Sequence, residues 1–331
     1  MKTAESSSPS PVRWGIIGLG KIAHKFAQDL SLVPNAQLTA VASRSQEKAN
    51  DFAAQHGASH AFGDYQSLFT SKEIDIVYIA TPHTRHFENT MQALASGVAV
   101  LCEKPFGLKY YEVEQMIEEA RSKNVFLMEA MWTRFFPLIQ KALDIVENGE
   151  IGQIKTIRAD FGFHATFDPS SRVFDKGLGG GSLMDVGIYP LFLSLLVLGI
   201  PESIDADAAW LENGVDESCF MLLHYPNGAK AQLYSSISTK TEVEATILGE
   251  QGSLKLESRF QHPTSLKWGA YYANLDEAID DYPGFGYHYE IAHVSDCIQK
   301  GLKESPLMTH ALSQQLIQLL DAVKEHIGLS Y

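Results

Sequence analysis

Short apolar runs alternate with amphipathic stretches through the first 130 residues. Residues 12–17, 37–43, 75–80, 98–102 and 125–130 are apolar runs of strand length, and the third is the richest in β-branched residues. A further short strand fits 60–62. Between these runs, apolar positions recur at helical spacing over 21–32, 46–56, 86–96 and 110–123. The last stretch places Val113, Met116, Ile117 and Ala120 on one face. Gly97 supplies a stop for the third helix. Strands alternating with helices predict a parallel sheet covered on both faces. Right-handed crossovers make that sheet doubly wound.

The pattern changes near Trp132. A helix is predicted over 135–148, with Gly149 as its stop. Strands then follow one another at 154–164, 203–211, 218–225, 229–238, 243–248 and 253–257, with turns at Pro226-Asn227-Gly228 and 249–252. A helix at 188–198 interrupts them, and helices at 289–300 and 311–326 close the chain. The expected fold is α/β: an N-terminal Rossmann doubly wound parallel sheet, then an α+β domain with an open, mostly antiparallel sheet. The expected division is a disordered Ser- and Pro-rich tail over 1–11, a dinucleotide-binding domain over 12–130, and a substrate-binding and dimerisation domain over 131–331. A sheet with helices on one side leaves its other face to be covered, which points to a homodimer through that sheet.

Charge and cysteine usage narrow the partners. A net charge of −14 disfavours nucleic acid and anionic membranes. No run of 18 apolar residues suggests a membrane span. Cys102, Cys219 and Cys297 are odd in number and widely spaced, which points to a reducing, cytoplasmic setting and away from a structural zinc.

The glycine cluster after the first run carries the clearest chemistry. Gly18-Leu19-Gly20-Lys21-Ile22-Ala23 follows a strand and opens a helix, the context in which a G-x-G-x-x-A pattern binds a dinucleotide. Gly18 permits the turn, Gly20 lets the backbone approach the pyrophosphate, and Ala23 allows close helix–strand packing. The amides around Lys21 and Ile22 would meet the phosphates. The second strand ends Ala42-Ser43-Arg44-Ser45, without the carboxylate that an NAD site places there. Arg44 and Lys48 can instead hold a 2′-phosphate, which favours NADP.

Polar residues also gather where strands end. Thr81-Pro82-His83-Thr84-Arg85-His86 follows one strand, Glu103-Lys104-Pro105-Phe106 the next, and Glu129 and Trp132 the sixth. Lys104 is the strongest candidate, as a base for a hydroxyl proton or as a cation stabilising the developing alkoxide. After Gly179-Gly180-Gly181, Asp185 and Tyr189 are four apart and share a helix face. An ammonium beside Tyr189 would lower its pKa towards use as a general acid/base. His83 and His86 lack a clear third ligand, so no metal is expected. No G-x-S-x-G elbow is present. His164, Phe163 and Arg172 are left open as pocket residues.

The glycine fingerprint, Thr81-Pro82-x-x-x-His86, Glu103-Lys104-Pro105 and Gly180-Gly181-x-x-x-Asp185-x-x-x-Tyr189 together resemble the glucose–fructose oxidoreductase / inositol dehydrogenase / rhizopine-catabolism (Gfo/Idh/MocA) family. Within it the likeness is greatest to dimeric dihydrodiol dehydrogenases and NADP-dependent D-xylose dehydrogenases. It covers almost the whole chain after the tail. It implies NADP(H)-dependent hydride transfer at a CH–OH carbon of a sugar or cyclic diol, with Lys104 at the nicotinamide and the substrate hydroxyl, and Tyr189 as acid/base. Many inositol dehydrogenases have histidine at that last position, so Tyr189 departs from their pattern. The resemblance also implies that His86 and Trp132 line the pocket, that Thr81, Pro82, His86, Glu103 and Lys104 border the cofactor, and, more loosely, that Phe285 adds an apolar wall. Some relatives are nicotinamide-dependent glycosidases or NADP-sensing regulators, and these are the competing readings.

Overall fold

The computed structural model describes residues 10–331. Of the tail expected over 1–11, only Ser10 and Pro11 fall within the described residues. The first part builds β1 (Val12–Ile17), α1 (Lys21–Leu30), β2 (Ala36–Ala42), α2 (Gln46–His56), β3 (His60–Phe62), α3 (Tyr65–Thr70), β4 (Ile76–Ile79), α4 (His86–Ala95), β5 (Ala99–Glu103), α5 (Tyr110–Lys123) and β6 (Leu127–Ala130). The six strands are parallel, in the order β3-β2-β1-β4-β5-β6. Ile16, Ile17, Val77, Ile79, Val100 and Leu101 are wholly buried, as a sheet covered on both faces requires. The strand order reverses between β1 and β4, and a doubly wound sheet opens a ligand crevice beyond the carboxyl ends of the strands at that point.

The second part contains α6 (Pro137–Glu147), β7 (Ile154–Gly162), α7 (Ile188–Leu198), β8 (Ser203–Trp210), β9 (Asp216–His224), β10 (Lys230–Ser236), β11 (Ala245–Gly249), β12 (Gly252–Leu256), β13 (Ser265–Ala270), β14 (Asp276–Ile279), α8 (Tyr287–Gln299) and α9 (His310–Ile327). Its eight strands run β14-β13-β12-β11-β7-β10-β9-β8, antiparallel except for the β7–β10 pair. One face buries Ile157, Met221, Leu233 and Ile247, and α7 lies against β7 and β10. The other face leaves Phe220 63% exposed, with Tyr234 packed on it at 4.3 Å. The most apolar helical stretch, Lys176–Leu198, is mostly buried inside the protein.

Three elements are additional to those read from the sequence: α3, β13 and β14. The closing helices also do more than end the second sheet. Helix α8 packs on α1 and β1, where Trp14 Nε1 donates to Ser295 Oγ at 3.2 Å. Helix α9 packs on both α5 and β8. A buried carboxylate fixes the segment before α8: Asp29 of α1 accepts from the Phe285 amide at 3.0 Å and the Tyr287 amide at 2.8 Å. Together these contacts set the second sheet at a fixed position over the carboxyl ends of the first.

Candidate active site

The glycine turn has the geometry its sequence demands. Gly18 has φ +78°, and a Cβ there would lie 2.4 Å from the Ala80 carbonyl carbon. Gly20, where a Cβ would meet only the Gly18 carbonyl oxygen at 3.9 Å, begins α1 with no side-chain cap. The first turn of α1 holds no acidic residue, so its amides keep the positive end of the helix for an anion. Lys21 and Ile22 are exposed at that end, and Ala23 is fully buried against the sheet. Ser43 is half-buried after β2, while Arg44 and Lys48 are exposed. Ser45 caps α2 by accepting from the Lys48 amide at 3.4 Å, which brings the start of α2 beside Arg44. A free helix end, an open glycine and exposed cations after β2 suit a dinucleotide.

Lys104 leaves β5 at the carboxyl edge, its side chain 13% exposed. Its Nζ donates to the Asp185 carbonyl oxygen at 2.8 Å and lies 3.9 Å from Asp185 Oδ1. The same Nζ sits 4.9 Å from the centre of the Tyr189 ring. Trp132 Nε1 donates to the Tyr189 hydroxyl at 3.1 Å, and the Trp132 ring stacks on Tyr287 at 4.5 Å. Lys104, Asp185, Tyr189 and Trp132 therefore form one cluster, drawn from β5, the turn before α7, α7 itself and the segment after β6.

The segment carrying Asp185 is unusual. Residues Leu183–Gly187 form a π-helical turn that runs into α7. Buried Asp216 anchors its start, accepting from the Leu183 amide at 2.6 Å and from Ser182 Oγ at 2.9 Å. Gly181 is required just before it: φ is +125°, and a Cβ would lie 1.9 Å from Asp216 Oδ1. The Tyr331 hydroxyl donates to the Gly180 carbonyl at 2.8 Å, so Tyr331 also braces the glycine run.

The electrostatics change the expected roles. Burial alone would lower the Lys104 pKa, but Tyr189, Asp185 and Glu103 outweigh it and the ammonium is favoured. Burial would raise Asp185, yet Arg172 and Lys104 pull it to about 2. Tyr189 is raised, because burial exceeds the lowering effect of Lys104. The expectation that Lys104 draws the Tyr189 pKa down is thus corrected: the attraction exists, but loss of solvent outweighs it. Glu103 is raised by burial and accepts from the Tyr78 hydroxyl and from the Lys104 amide.

His86 lies deeper than a pocket residue. It is fully buried, with Nδ1 2.8 Å from the Pro105 carbonyl oxygen and Nε2 2.9 Å from that of Thr81. Burial lowers its pKa to about 4 against the raising effect of the two carbonyls, and a neutral ring donates to only one of them while lying wedged between the two loops. Its expected place on the pocket wall is corrected to a place beneath it. Thr81 Oγ1 accepts from Asn89, fixing the same loop, and Pro82 is half-buried beside it. Phe285 is 38% exposed and meets α1, with Lys25 Nζ 5.1 Å above its ring. It stands at the fingerprint helix, and none of its contacts is with the Lys104–Tyr189 pair.

Of the three residues left open by the sequence, Arg172 joins the cluster, and it brings His83 with it. Arg172 Nη2 donates to Asp185 Oδ1 at 2.7 Å, and its Nη1 lies 3.3 Å from His83 Nε2. His83 Nδ1 lies 3.1 Å from the Gly179 carbonyl oxygen. His164 instead bonds the Ser238 carbonyl, and Phe163 packs on Phe174, Val215 and Ile237. The signal for Arg172 was only its nearness to the glycine run. Its partner His83 is 89 residues away, a separation that no local pattern bridges.

A Rossmann sheet with an ammonium, a carboxylate and a phenol gathered at its carboxyl edge defines an oxidoreductase linked to a nicotinamide dinucleotide. The chain belongs to the Gfo/Idh/MocA oxidoreductase family. Residues 12–131 match the oxidoreductase family with an NAD-binding Rossmann fold, and residues 139–255 match its GFO/IDH/MocA C-terminal domain. The chain is 36% identical over 330 residues to trans-1,2-dihydrobenzene-1,2-diol dehydrogenase of Sus scrofa, covering 97% of this chain and 98% of that one. The Homo sapiens enzyme of the same name is 35% identical over 331 residues, with the same coverage. Among solved structures, KijD10, a 3-ketoreductase from Actinomadura kijaniata in complex with NADP and TDP-benzene, is 25% identical with a TM-score of 0.86, covering 96% of this chain and 98% of that one. Aldose-aldose oxidoreductase from Caulobacter crescentus, complexed with glycerol, shares the fold at 23% identity and a TM-score of 0.87, covering 96% and 97%.

Proposed function

We propose that this protein is an NADP(H)-dependent dehydrogenase acting on the CH–OH carbon of a cyclic diol or sugar. The observation that carries the reading is the joining of Lys104, Asp185 and Tyr189 at the edge of a dinucleotide-binding sheet. The nicotinamide, when bound, supplies the hydride acceptor or donor. Lys104 stays an ammonium and stabilises negative charge on the reacting oxygen. Tyr189, held by Trp132, exchanges the hydroxyl proton as general acid or base. Asp185 holds Lys104 in place through its backbone and side-chain oxygens. Glu103, Thr81, Pro82 and, from below, His86 shape the nicotinamide side of the site. Trp132 forms an apolar wall, and Phe285 packs on α1 at Lys25 and Asp29. Gly18, Gly20, Lys21 and Ile22 receive the pyrophosphate, and Ser43, Arg44 and Lys48 the 2′-phosphate. The dehydrogenases named above support the diol reading, and the NADP bound to KijD10 supports the cofactor.

We divide the chain as cofactor domain 12–130 and substrate and dimerisation domain 131–331, with the dimer formed through the outer face of the second sheet. Three buried free cysteines fit a cytoplasmic setting. The test is a spectrophotometric screen for NADP+ reduction across cyclic diols and aldoses, with NAD+ in parallel. Turnover with NADP+ on one class is expected, and no turnover on any would contradict the reading. Arg44→Ala is expected to weaken NADPH binding about tenfold or more while leaving NADH binding unchanged, as the loss of a charge-assisted phosphate contact predicts. Equal losses for both nucleotides, measured by fluorescence titration, would contradict the placing of the 2′-phosphate.

A further inference from the structure

Arg172 is held in a way that its pairing with Asp185 alone does not explain. A guanidinium devoted to one carboxylate usually meets it with two parallel N–H bonds. Here only Nη2 reaches Asp185 Oδ1, at 2.7 Å, while Nη1 points at the ring of His83. His83 is buried, and burial together with Arg172 drives its pKa well down, so the ring is neutral. With Nδ1–H donated to the Gly179 carbonyl, its Nε2 carries a lone pair and accepts from Arg172. Two acceptors on different elements thus fix the plane of the guanidinium. Five N–H donors are present and these partners use two. The Arg172 side chain remains 35% exposed.

The backbone is fixed as well. The Arg172 carbonyl accepts from the Asp175 amide at 3.2 Å, and the Val173 carbonyl accepts from the Gly181 amide at 3.0 Å. Gly180 lets the two backbones approach closely, since a Cβ there would lie 2.5 Å from the Arg172 carbonyl oxygen. Asp185 Oδ1 lies between Arg172 Nη2 at 2.7 Å and Lys104 Nζ at 3.9 Å. Two cations therefore flank a single carboxylate oxygen, and His83 adds no negative charge. The site carries one ammonium for the reacting oxygen and, one oxygen away, a pre-oriented set of unused donors.

We propose that Arg172 determines specificity by binding a second substrate oxygen, the one on the carbon next to the reacting carbon. Lys104 and Arg172 together then select vicinal diols and α-hydroxy carbonyl compounds over simple alcohols. A substrate lacking that oxygen leaves the guanidinium donors without their partner in a partly desolvated site, which penalises its binding. The inference rests on the dehydrogenase reading above and names the residue that reads the second oxygen of such a substrate.

The test compares trans-cyclohexane-1,2-diol with cyclohexanol, at saturating NADP+, for the wild type, Arg172→Met and Arg172→Lys. Loss of the Asp185 partner in Arg172→Met affects both compounds alike, so the ratio of their kcat/KM values isolates the second-oxygen contact. Inhibition constants of the two compounds against the best substrate give the same ratio where turnover is slow. The ratio is expected to fall about tenfold or more in Arg172→Met, mainly through KM for the diol, with partial recovery in Arg172→Lys. An unchanged ratio, with or without a common loss of rate, would overturn the specificity role and leave Arg172 a positioning residue for Asp185. Absence of any NADP+-linked turnover by the wild type on diols and aldoses would instead strike the dehydrogenase reading itself.

Discussion

At the scale of single residues, protonation is set by the balance between burial and charged neighbours, and the balance falls differently from one residue to the next. Lys104 keeps its proton because three electronegative neighbours outweigh burial, while Tyr189 keeps its proton because burial outweighs Lys104. The sequence pointed to Lys104, Asp185 and Tyr189, and the fold brings these three side chains together, since strand ends and helical spacing are local features. It did not reveal the depth of His86, because depth is a property of what packs from elsewhere. Glu129 shows the same principle with a measurable consequence. It is 2% exposed: one oxygen accepts from the Phe106 amide, and Oε2 is buried without a partner among the described residues. Burial raises its pKa from the ordinary 4.5 to about 7. A carboxyl whose folded pKa is raised contributes stability that is full below the unfolded value and is lost as pH rises through the folded one. The loss amounts to about 3 kcal/mol across that window. Glu129→Gln, which cannot ionise, is therefore expected to gain stability over the wild type as pH rises from roughly 5 to 8. Thermal melts at the two ends check it; a difference independent of pH would contradict the account.

At the scale of elements, hydrophobic period gave the parallel strands and their helices within a few residues, because each buried strand is a continuous apolar run. It failed where pattern is weak. Strand β14 reads Asp276-Glu277-Ala278-Ile279 and is largely exposed, so no apolar run marks it. The π-helical turn at Leu183–Gly187 has no sequence period of its own and is set by Asp216 from another strand. The join between α1 and the segment before α8 is likewise nonlocal, since Asp29 binds amides more than 250 residues away. Asp29→Ala would leave two amides without their acceptor, and removing such partners costs about 2–4 kcal/mol in total. Urea unfolding should read that loss, accompanied by faster proteolytic cutting near Phe285. Stability within the error of the wild type would mean that this segment is held by other contacts.

At the scale of the whole molecule, the closing helices tie the two parts of the chain together, α8 on α1 and β1, α9 on α5 and β8. The fold class was legible in the alternation of elements, whereas the return of α8 to the first sheet was not, because an amphipathic helix does not state which core it faces. The outer face of the second sheet remains the surface to be covered in the proposed dimer. Phe220, 63% exposed and stacked with Tyr234, stands on that face. Phe220→Glu is expected to give a monomer by light scattering at micromolar concentration, and a persistent dimer would place the interface elsewhere.

The central claim is that Lys104 and Tyr189 act on a substrate hydroxyl while the dinucleotide is held by other residues. Its most direct test is the rate of NADP+ reduction by the wild type, Lys104→Met and Tyr189→Phe on the best diol or aldose, with NADPH affinity measured for each by fluorescence. Turnover lower by about 10²-fold or more in both variants, with NADPH still bound, is the predicted result. Turnover near that of the wild type in both would contradict the account.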